Sequence, residues 1–195
     1  MGKKHDFSNK YMDDGNDYED VARKYIENYI KDNSFSDNVY DRTTGIQIDT
    51  INFKQFTLIH KKYPYIFTSY DGIDIKNKLV VEIKCPGENV FTKLLKNRVP
   101  TVPKMYYDQV QMQLMIANSH YGIKKGIFAI YLDNGVEFLD KTTKITKLVK
   151  LILIETELDE EYCKESIKLC TNYIQMVYNR QWNKYWAEGE DIFKL

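Results

Sequence analysis

The segment Leu79–Pro86 constrains the fold most, because it reads as a strand that carries two charged side chains on one face. Successive strand residues point to opposite faces of a sheet, so Glu82 and Lys84 share one face and the apolar residues between them the other. Asp71 precedes Glu82 by eleven positions, which is enough chain to close a hairpin through residues 76–78. The sequence therefore predicts two carboxylates and a lysine at one place.

Two interpretations of this group are open. Carboxylate oxygens bind hard divalent cations, and a basic group beside such an ion is the chemistry of a metal-dependent nuclease. On the strand alone, Glu82 and Lys84 are more typical of the solvated face of a half-buried hairpin, and Asp71-Gly72 is consistent with ordinary turn chemistry. Asp74 is a rival for Asp71, ranked second because it lies closer to the turn and no glycine follows it.

Composition limits the class of protein. The chain has 195 residues, of which 43% are hydrophobic and 29% charged, as in a soluble globular protein. It has no apolar run of the roughly 18 residues that a membrane helix needs, and no secretory signal, so we expect an intracellular protein without a membrane partner. The three cysteines form no Cys-x-x-Cys pair, which argues against a zinc site. The formal net charge of zero counts mildly against a nucleic-acid partner unless basic residues cluster locally.

Hydrophobic periodicity predicts one α/β (α+β) domain without repeats or linkers. Helices are predicted over residues 17–31, 89–96, 104–118 and 159–186. Strands are predicted over residues 46–51, 65–69, 73–75, 79–85, 126–132, 136–139 and 145–155. The segment 52–62 fits either a helix or an irregular piece, and Asp133-Asn134-Gly135 predicts a hairpin turn.

Four motifs in this order resemble those of the PD-(D/E)XK nuclease superfamily, in its lambda-exonuclease or YqaJ-type viral recombinase branch. They lie between residue 15 and about residue 135. The motifs are Gly15-Asn16-Asp17-Tyr18-Glu19-Asp20-Val21-Ala22-Arg23-Lys24-Tyr25, Ser69-Tyr70-Asp71-Gly72, Glu82-Ile83-Lys84-Cys85-Pro86 and Tyr106-Tyr107-Asp108-Gln109-Val110-Gln111-Met112-Gln113-Leu114.

The resemblance implies a single restriction-endonuclease-like domain over residues 15–195, with a central mixed β-sheet flanked by helices, after a flexible segment 1–14. It also implies a site for Mg²⁺ or Mn²⁺. The implied metal ligands are Glu19, Asp71, Glu82 and the backbone carbonyl of Ile83. The implied catalytic residues are Asp71, Glu82, Lys84, Tyr106 and Gln109.

The partner implied by the resemblance is DNA, and an exonuclease acting on duplex ends in recombination, repair or viral DNA processing is favoured over an endonuclease or nickase. The residues expected to contact DNA are Lys93, Lys96, Arg98 and Gln111. A single-strand annealing protein and a second copy of the chain are further expected partners, and a viral or phage-like origin is consistent with the family. The aromatic residues expected to support self-association are Trp182, Trp186 and Phe193. A catalytically inactive DNA-binding or assembly module of the same fold, and an accidental motif match, remain as alternatives.

Overall fold

The computed structural model describes residues 10–32, 39–41, 50–98 and 101–179, with the backbone alone at 10–17 and 41. Within these ranges the chain forms four helices and six strands. The helices are α1 (Lys10–Asp32), α2 (Glu88–Lys96), α3 (Lys104–Tyr121) and α4 (Glu160–Tyr178). The strands are β1 (Val39–Asp41), β2 (Lys54–Ile59), β3 (Phe67–Asp74), β4 (Leu79–Lys84), β5 (Lys125–Asp140) and β6 (Ile145–Glu157).

The described strands form one mixed sheet in the order β1-β6-β5-β4-β3-β2. β4 and β5 are parallel, as are β1 and β6, whereas the remaining neighbours are antiparallel. α2 and α3 connect the two parallel central strands, which a tight turn alone cannot join. The predicted α+β class with a central mixed sheet flanked by helices is confirmed.

Two apolar layers cover the sheet. On one face, which we call the α3 side, Val80 and Phe128 pack with α2 and α3 through residues such as Leu95 and Leu114. On the opposite face, the α1 side, Val81 and Ile83 pack with residues of α1. Because its residues feed both layers in turn, β4 is buried on both faces. The alternative of a solvated hairpin face at Glu82 is therefore wrong.

An extra residue interrupts β3 beside Asp71. Lys54 and Phe56 of β2 pair with Ile73 and Tyr70, so two steps along β2 match three steps along β3. This irregularity is a β-bulge, which bends a strand and re-aims a side chain. Tyr70 and Ile73 consequently lie on the same side of the sheet, both in the layer beneath α3.

Three described segments differ from the sequence-based prediction. Residues 39–41 form strand β1, where no strand was predicted. Residues 54–59 form strand β2, where a helix or an irregular piece was predicted, because this segment completes the sheet beside β3. Asp133-Asn134-Gly135 does not make the predicted hairpin turn; it lies inside the long strand β5, at an irregularity between Tyr131 and Val136. Gly135 has a φ of +66°, which accommodates this irregularity without ending the strand.

The chain divides into two compact units, residues 1–158 and 159–195. The first contains the sheet with α1, α2 and α3, and α1 begins at Lys10, inside the segment 1–14 predicted to be flexible. The second contains α4, whose first turn is capped by Asp159 through a 2.9 Å hydrogen bond from the Tyr162 N–H to Oδ1. The predicted contact residues Trp182, Trp186 and Phe193 lie outside the described residues. None of the described helices is long and apolar enough to cross a bilayer.

Candidate active site

Glu82 forms the centre of the site, and its side chain is 0% exposed. It lies on the α3 side of β4, where a carboxylate needs strong partners to offset the loss of water. The Lys84 ammonium donates to Oε1, and the Gln113 amide Nε2 donates to Oε2 at 2.5 Å. Both carboxylate oxygens are thus held, one by a neighbour on the same strand and one by a helix.

Asp71 approaches Glu82 from the bulge of β3. Its Oδ2 accepts a 2.8 Å hydrogen bond from the Ile83 N–H, just beyond the last regular pair of the ladder, Gly72 with Val81. Burial, and then the negative charge of Glu82, raise the pKa of Asp71 to about 7, although the Ile83 N–H and Lys84 act in the opposite direction. The two carboxylates are therefore close enough for the charge of Glu82 to raise the pKa of Asp71, as the hairpin spacing predicted.

Glu19 lies on the α1 side of this pair. Its Oε1 accepts hydrogen bonds from Arg23 at 2.9 Å and from Gln55 at 2.6 Å. Burial, and then the charge of Asp71, raise its pKa, and the two hydrogen bonds only partly oppose that rise. Arg23 also donates from Nε to the backbone carbonyl of Asp71 at 2.6 Å, which ties α1 to the bulge. A third contact joins Arg23 to Asp20.

Lys84 lies between Glu82 and an aromatic ring. Its ammonium is 5.4 Å from the centroid of the Tyr106 ring, which itself packs at 5.3 Å on Phe128. Burial works to lower the pKa of Lys84, but the carboxylates of Glu82 and Asp71 outweigh it, so the pKa is raised. The lysine is accordingly a fixed positive charge at neutral pH.

Gln113 is a site residue that the sequence analysis did not select. Its Nε2 donates to Glu82 and, at 3.0 Å, to the carbonyl of Ser69. Two acceptors on one side fix the orientation of the amide, and among the described residues its Oε1 is buried without a hydrogen-bond partner. Gln109, the predicted catalytic glutamine, is exposed one turn earlier on α3. Helical spacing places Tyr106, Gln109 and Gln113 on one face of α3, so it did not distinguish Gln113 from Gln109.

The surroundings of two further residues, Asp74 and Cys85, argue against a catalytic role for either. Asp74, the rival of Asp71, accepts hydrogen bonds from the backbone of Asn52 and Asn77, both at 2.9 Å, and therefore stabilises the turn that follows β3. Cys85 lies beside the acids, and burial, followed by the charges of Glu19 and Asp71, raises the pKa of its thiol to about 12. The thiol is thus neutral and unsuited to act as a nucleophile.

The donor set suits a hard divalent cation. Asp71, Glu82 and Glu19 supply oxygen ligands, the type that Mg²⁺ and Mn²⁺ prefer. Burial, and then a neighbouring carboxylate, raise the pKa values of Asp71 and Glu19, and a bound cation would offset both effects. Among the described residues no three His, Cys, Asp or Glu side chains already converge as a metal site. The acids are instead bonded to Lys84, Gln113 and Arg23. Ile83 contributes its N–H here, to Asp71.

The four residues predicted to contact DNA differ in their exposure to solvent. Lys93 and Lys96 are exposed on α2, which starts directly after β4. Arg98 is exposed, with Nη2 3.9 Å from Asp140 Oδ1. Gln111 is only 1% exposed and donates from Nε2 to the Glu157 carbonyl at 2.9 Å. Its position in the core fits the anchoring of α3 on β6 rather than the predicted contact with DNA, because a helix residue two positions from Gln113 points to a different side.

Known proteins resemble this arrangement. A family model described as the YqaJ-like viral recombinase domain matches residues 1–120. The alkaline exonuclease LHK-Exo of Laribacter hongkongensis is 16% identical, with a TM-score of 0.54 over 93% of this chain and 76% of that one. A structure of LHK-Exo in complex with dAMP is 18% identical, with a TM-score of 0.60 over 94% and 76%. No curated protein matches the sequence.

A mixed sheet that carries Asp71, Glu82 and Lys84 on two adjoining strands defines a nuclease fold of the PD-(D/E)XK type. The chain belongs to the YqaJ-like viral recombinase family, whose model covers more than half of its length. The family and the fold class predicted from sequence are confirmed. Together they support the predicted DNA exonuclease.

Proposed function

We propose that this protein is a metal-dependent deoxyribonuclease that removes nucleotides from the ends of duplex DNA. The observation that carries the proposal is the buried Glu82 carboxylate, held between Lys84 and Gln113 and facing Asp71. A folded protein keeps a buried acid pair of this kind only at a cost in stability, which is typical of catalytic sites. The exonuclease named in the structural comparison makes a DNA end the first substrate to test.

The carboxylates of Asp71, Glu82 and Glu19 are the residues that would hold Mg²⁺ or Mn²⁺. When bound, the cation supplies a more acidic water and neutralises charge on the phosphate. The backbone carbonyl of Ile83 completes the proposed ligand set. The backbone N–H of the same residue donates to Asp71, which places Ile83 beside the acids.

Lys84 and Tyr106 act on the phosphate side of the reaction. Because its raised pKa keeps Lys84 protonated, the ammonium donates hydrogen bonds to oxygens that gain negative charge in the transition state. The Tyr106 ring limits the positions that the ammonium can take. Gln113 keeps Glu82 in one orientation, and its free Oε1 is an acceptor for a water in the site.

Three DNA substrates test the proposal when each is incubated with Mg²⁺ or with chelator: a linear duplex, a closed circle and a nicked circle. We expect metal-dependent loss of the linear form alone. Cutting of the closed circle would indicate an endonuclease. Binding without any metal-dependent cutting would indicate an inactive module of the same fold.

A further inference from the structure

The hairpin made by β2 and β3 has one face that no other described element covers. Its inner face packs on the core through Phe56, Leu58 and Tyr70. Its other face is exposed, and we call it the outer ribbon face. The side chains of the outer ribbon face are Gln55, Thr57, Ile59, Phe67 and Ser69. Phe67 is 68% exposed and its cross-strand partner Ile59 is 54% exposed, which is unusual for a pair of large apolar side chains.

The outer ribbon face begins at the carboxylates of the site. Gln55, at one end, donates directly to Glu19. Ser69 is two residues before Asp71, and its backbone carbonyl accepts from Gln113. Further along, the Thr57 and Ser69 hydroxyls are 3.0 Å apart across the two strands. A polymeric ligand that extends from the site along the outer ribbon face therefore meets an amide, then hydroxyls, then the exposed apolar pair.

Most of the hairpin also differs in charge from the rest of the chain. The whole sequence has 28 basic and 28 acidic residues, yet residues 53–70 contain three lysines and no Asp or Glu. The acids of the hairpin, Asp71 and Asp74, lie in the last part of β3, at the site. Lys61 and Lys62 are both exposed in the connection between the strands. Aromatic side chains lie among them: the Lys62 ammonium is 5.4 Å from the Tyr63 ring centroid, and the Tyr63 ring is 6.1 Å from that of Tyr65. Proteins that bind single-stranded nucleic acid commonly combine basic side chains with aromatic side chains.

The connection between the strands is held in one conformation. The His60 Nδ1 accepts from the N–H groups of Lys62 at 3.1 Å and Tyr63 at 3.3 Å. The backbone N–H of His60 donates to the Ile66 carbonyl at 2.8 Å. The ring Nε2 of His120, on α3, lies 2.7 Å from the Ile59 carbonyl, within hydrogen-bond distance. A surface fixed in this way loses little conformational entropy when a ligand binds.

We propose that the outer ribbon face binds one strand of the DNA substrate, with phosphates near Lys61 and Lys62 and bases stacked against Phe67. The inference rests on the proposed nuclease function and adds the path of a single strand outside the site. Hydroxyl groups such as those of Thr57 and Ser69 commonly bond to phosphate oxygens. β2 is also the edge of the described sheet, an edge to which a protein strand can add. The basic, acid-free composition favours DNA over a protein partner.

Fluorescence anisotropy with a labelled oligodeoxythymidine of about 20 nucleotides, in chelator, measures this contact without cutting. The variants are Lys61→Ala/Lys62→Ala and Phe67→Thr, each also followed by circular dichroism and analytical ultracentrifugation. We expect each to weaken binding about tenfold or more. The lysine pair should also reduce the slope of log affinity against log salt by about 1.4, since each neutralised phosphate contributes about 0.7 on single strands.

Two matched controls lie on other hairpins of the same sheet. Lys76→Ala/Lys141→Ala removes two exposed lysines, and Ile145→Thr removes an exposed apolar side chain that is 56% exposed. Both should change the affinity less than twofold. If the ribbon variants bind like these controls, the inference is wrong. If they bind DNA normally but change self-association, the face is a protein interface instead, and the inference is equally wrong.

The two proposals fail in different ways. A wild-type protein that cuts no DNA with Mg²⁺ but loses oligonucleotide affinity in the ribbon variants would contradict the nuclease and support the ribbon. A small diester, p-nitrophenyl thymidine 5′-phosphate, is too short to reach Phe67 from Asp71. Its hydrolysis should be unchanged in Lys61→Ala/Lys62→Ala, whereas an equal loss on both substrates would assign the lysines to the catalytic site and overturn the ribbon. Should Phe67→Thr fail to fold, the lysine pair on the exposed connection alone decides the outcome.

Discussion

Gln113 on α3 donates its amide to the carboxylate of Glu82 on β4, at 2.5 Å. The contact joins residues 31 positions apart in the sequence and holds the carboxylate from the helix. A buried carboxylate with both oxygens bonded has few orientations available. The position of α3 on the sheet therefore controls the geometry of this buried acid.

Replacing Lys84 tests whether its charge acts in the chemical step. Lys84→Gln keeps a donor beside Glu82 but removes the charge, so the single-turnover rate should fall about a hundredfold or more. The affinity for DNA in chelator should change less than threefold. Lys76→Gln, at an exposed lysine in the turn after β3, is the matched control and should keep the wild-type rate. A Lys84→Gln protein that cuts at the control rate would make the lysine a structural partner of Glu82 only.

Asp71 should make stability depend on pH in metal-free protein. Its pKa is about 7 in the folded state and 3.8 as the ordinary value, so between these limits the folded state holds a proton that the unfolded state has lost. The free energy of unfolding should consequently fall as the pH rises from about 4 to 7. Asp71→Asn removes the contribution of Asp71 to this dependence and should be more stable than wild type at pH 8, by about 1 kcal/mol or more.

The same ionisation governs the response to metal. Since cations bind the deprotonated acid, Mg²⁺ or Mn²⁺ should raise the melting temperature more at pH 8 than at pH 5. Urea and thermal melts with and without metal measure both effects. Equal shifts at the two pH values, or a wild-type pH profile in Asp71→Asn, would contradict the proposed ligand role.

Replacing Gln113 and replacing Gln109, which lie on the same helix, should change the rate of cutting to different extents. Gln113→Met removes the donor to Glu82, and the rate at saturating DNA should fall tenfold or more, with the DNA concentration for half-maximal rate little changed. The Mg²⁺ concentration for half-maximal rate should rise, which a purely structural role would not require. Gln109→Met alters an exposed position and should leave the saturated rate within threefold. A larger rate loss in Gln109→Met would favour the assignment made from the sequence motif.

Gly72 should tolerate no side chain. A Cβ placed there would lie 2.6 Å from Val81 Cγ1 and 2.7 Å from Phe53 Cβ, inside the layer beneath α1. Gly72→Ala should therefore reduce the free energy of unfolding by about 2–3 kcal/mol in urea melts. Gly87→Ala is the control, because its Cβ would meet nothing within 4 Å, and should change stability by less than about 0.5 kcal/mol. Equal stability of the two variants would show that the bulge can relax.

The sequence predicted the parts of the site that local rules control. Alternation in β4 puts Glu82 and Lys84 on one face, and chain length returns Asp71 to Glu82, so both relationships follow from spacing. The burial of Glu82 was not predictable, because alternation says which face a residue takes and not what covers that face. Tertiary packing of α3 decides it.

Long-range pairing explains the errors. Asp133-Asn134-Gly135 has the composition of a tight turn, yet the pairing of Val136 with Val149 keeps β5 extended through it. In the same way, the choice between Gln109 and Gln113, which share a face of α3, depends on which turn of the helix lies over β4, and the motif alone leaves that open. Asp133 instead accepts a hydrogen bond from the Tyr131 hydroxyl at 2.9 Å.

The bulge in β3 makes the active site sensitive to the count of residues on one strand. Removal of Asp71, the single residue between Tyr70 and Gly72, would restore regular alternation but would delete a proposed metal ligand. Insertion of a further residue there would instead turn the Tyr70 ring away from α3, where its hydroxyl now donates to the Gln113 carbonyl at 2.8 Å. The turn at residues 75–78 is under no such restriction, since its length changes neither alternation nor the ladder before it. Insertions and deletions in this family should therefore be tolerated beyond Asp74 and rejected at the bulge.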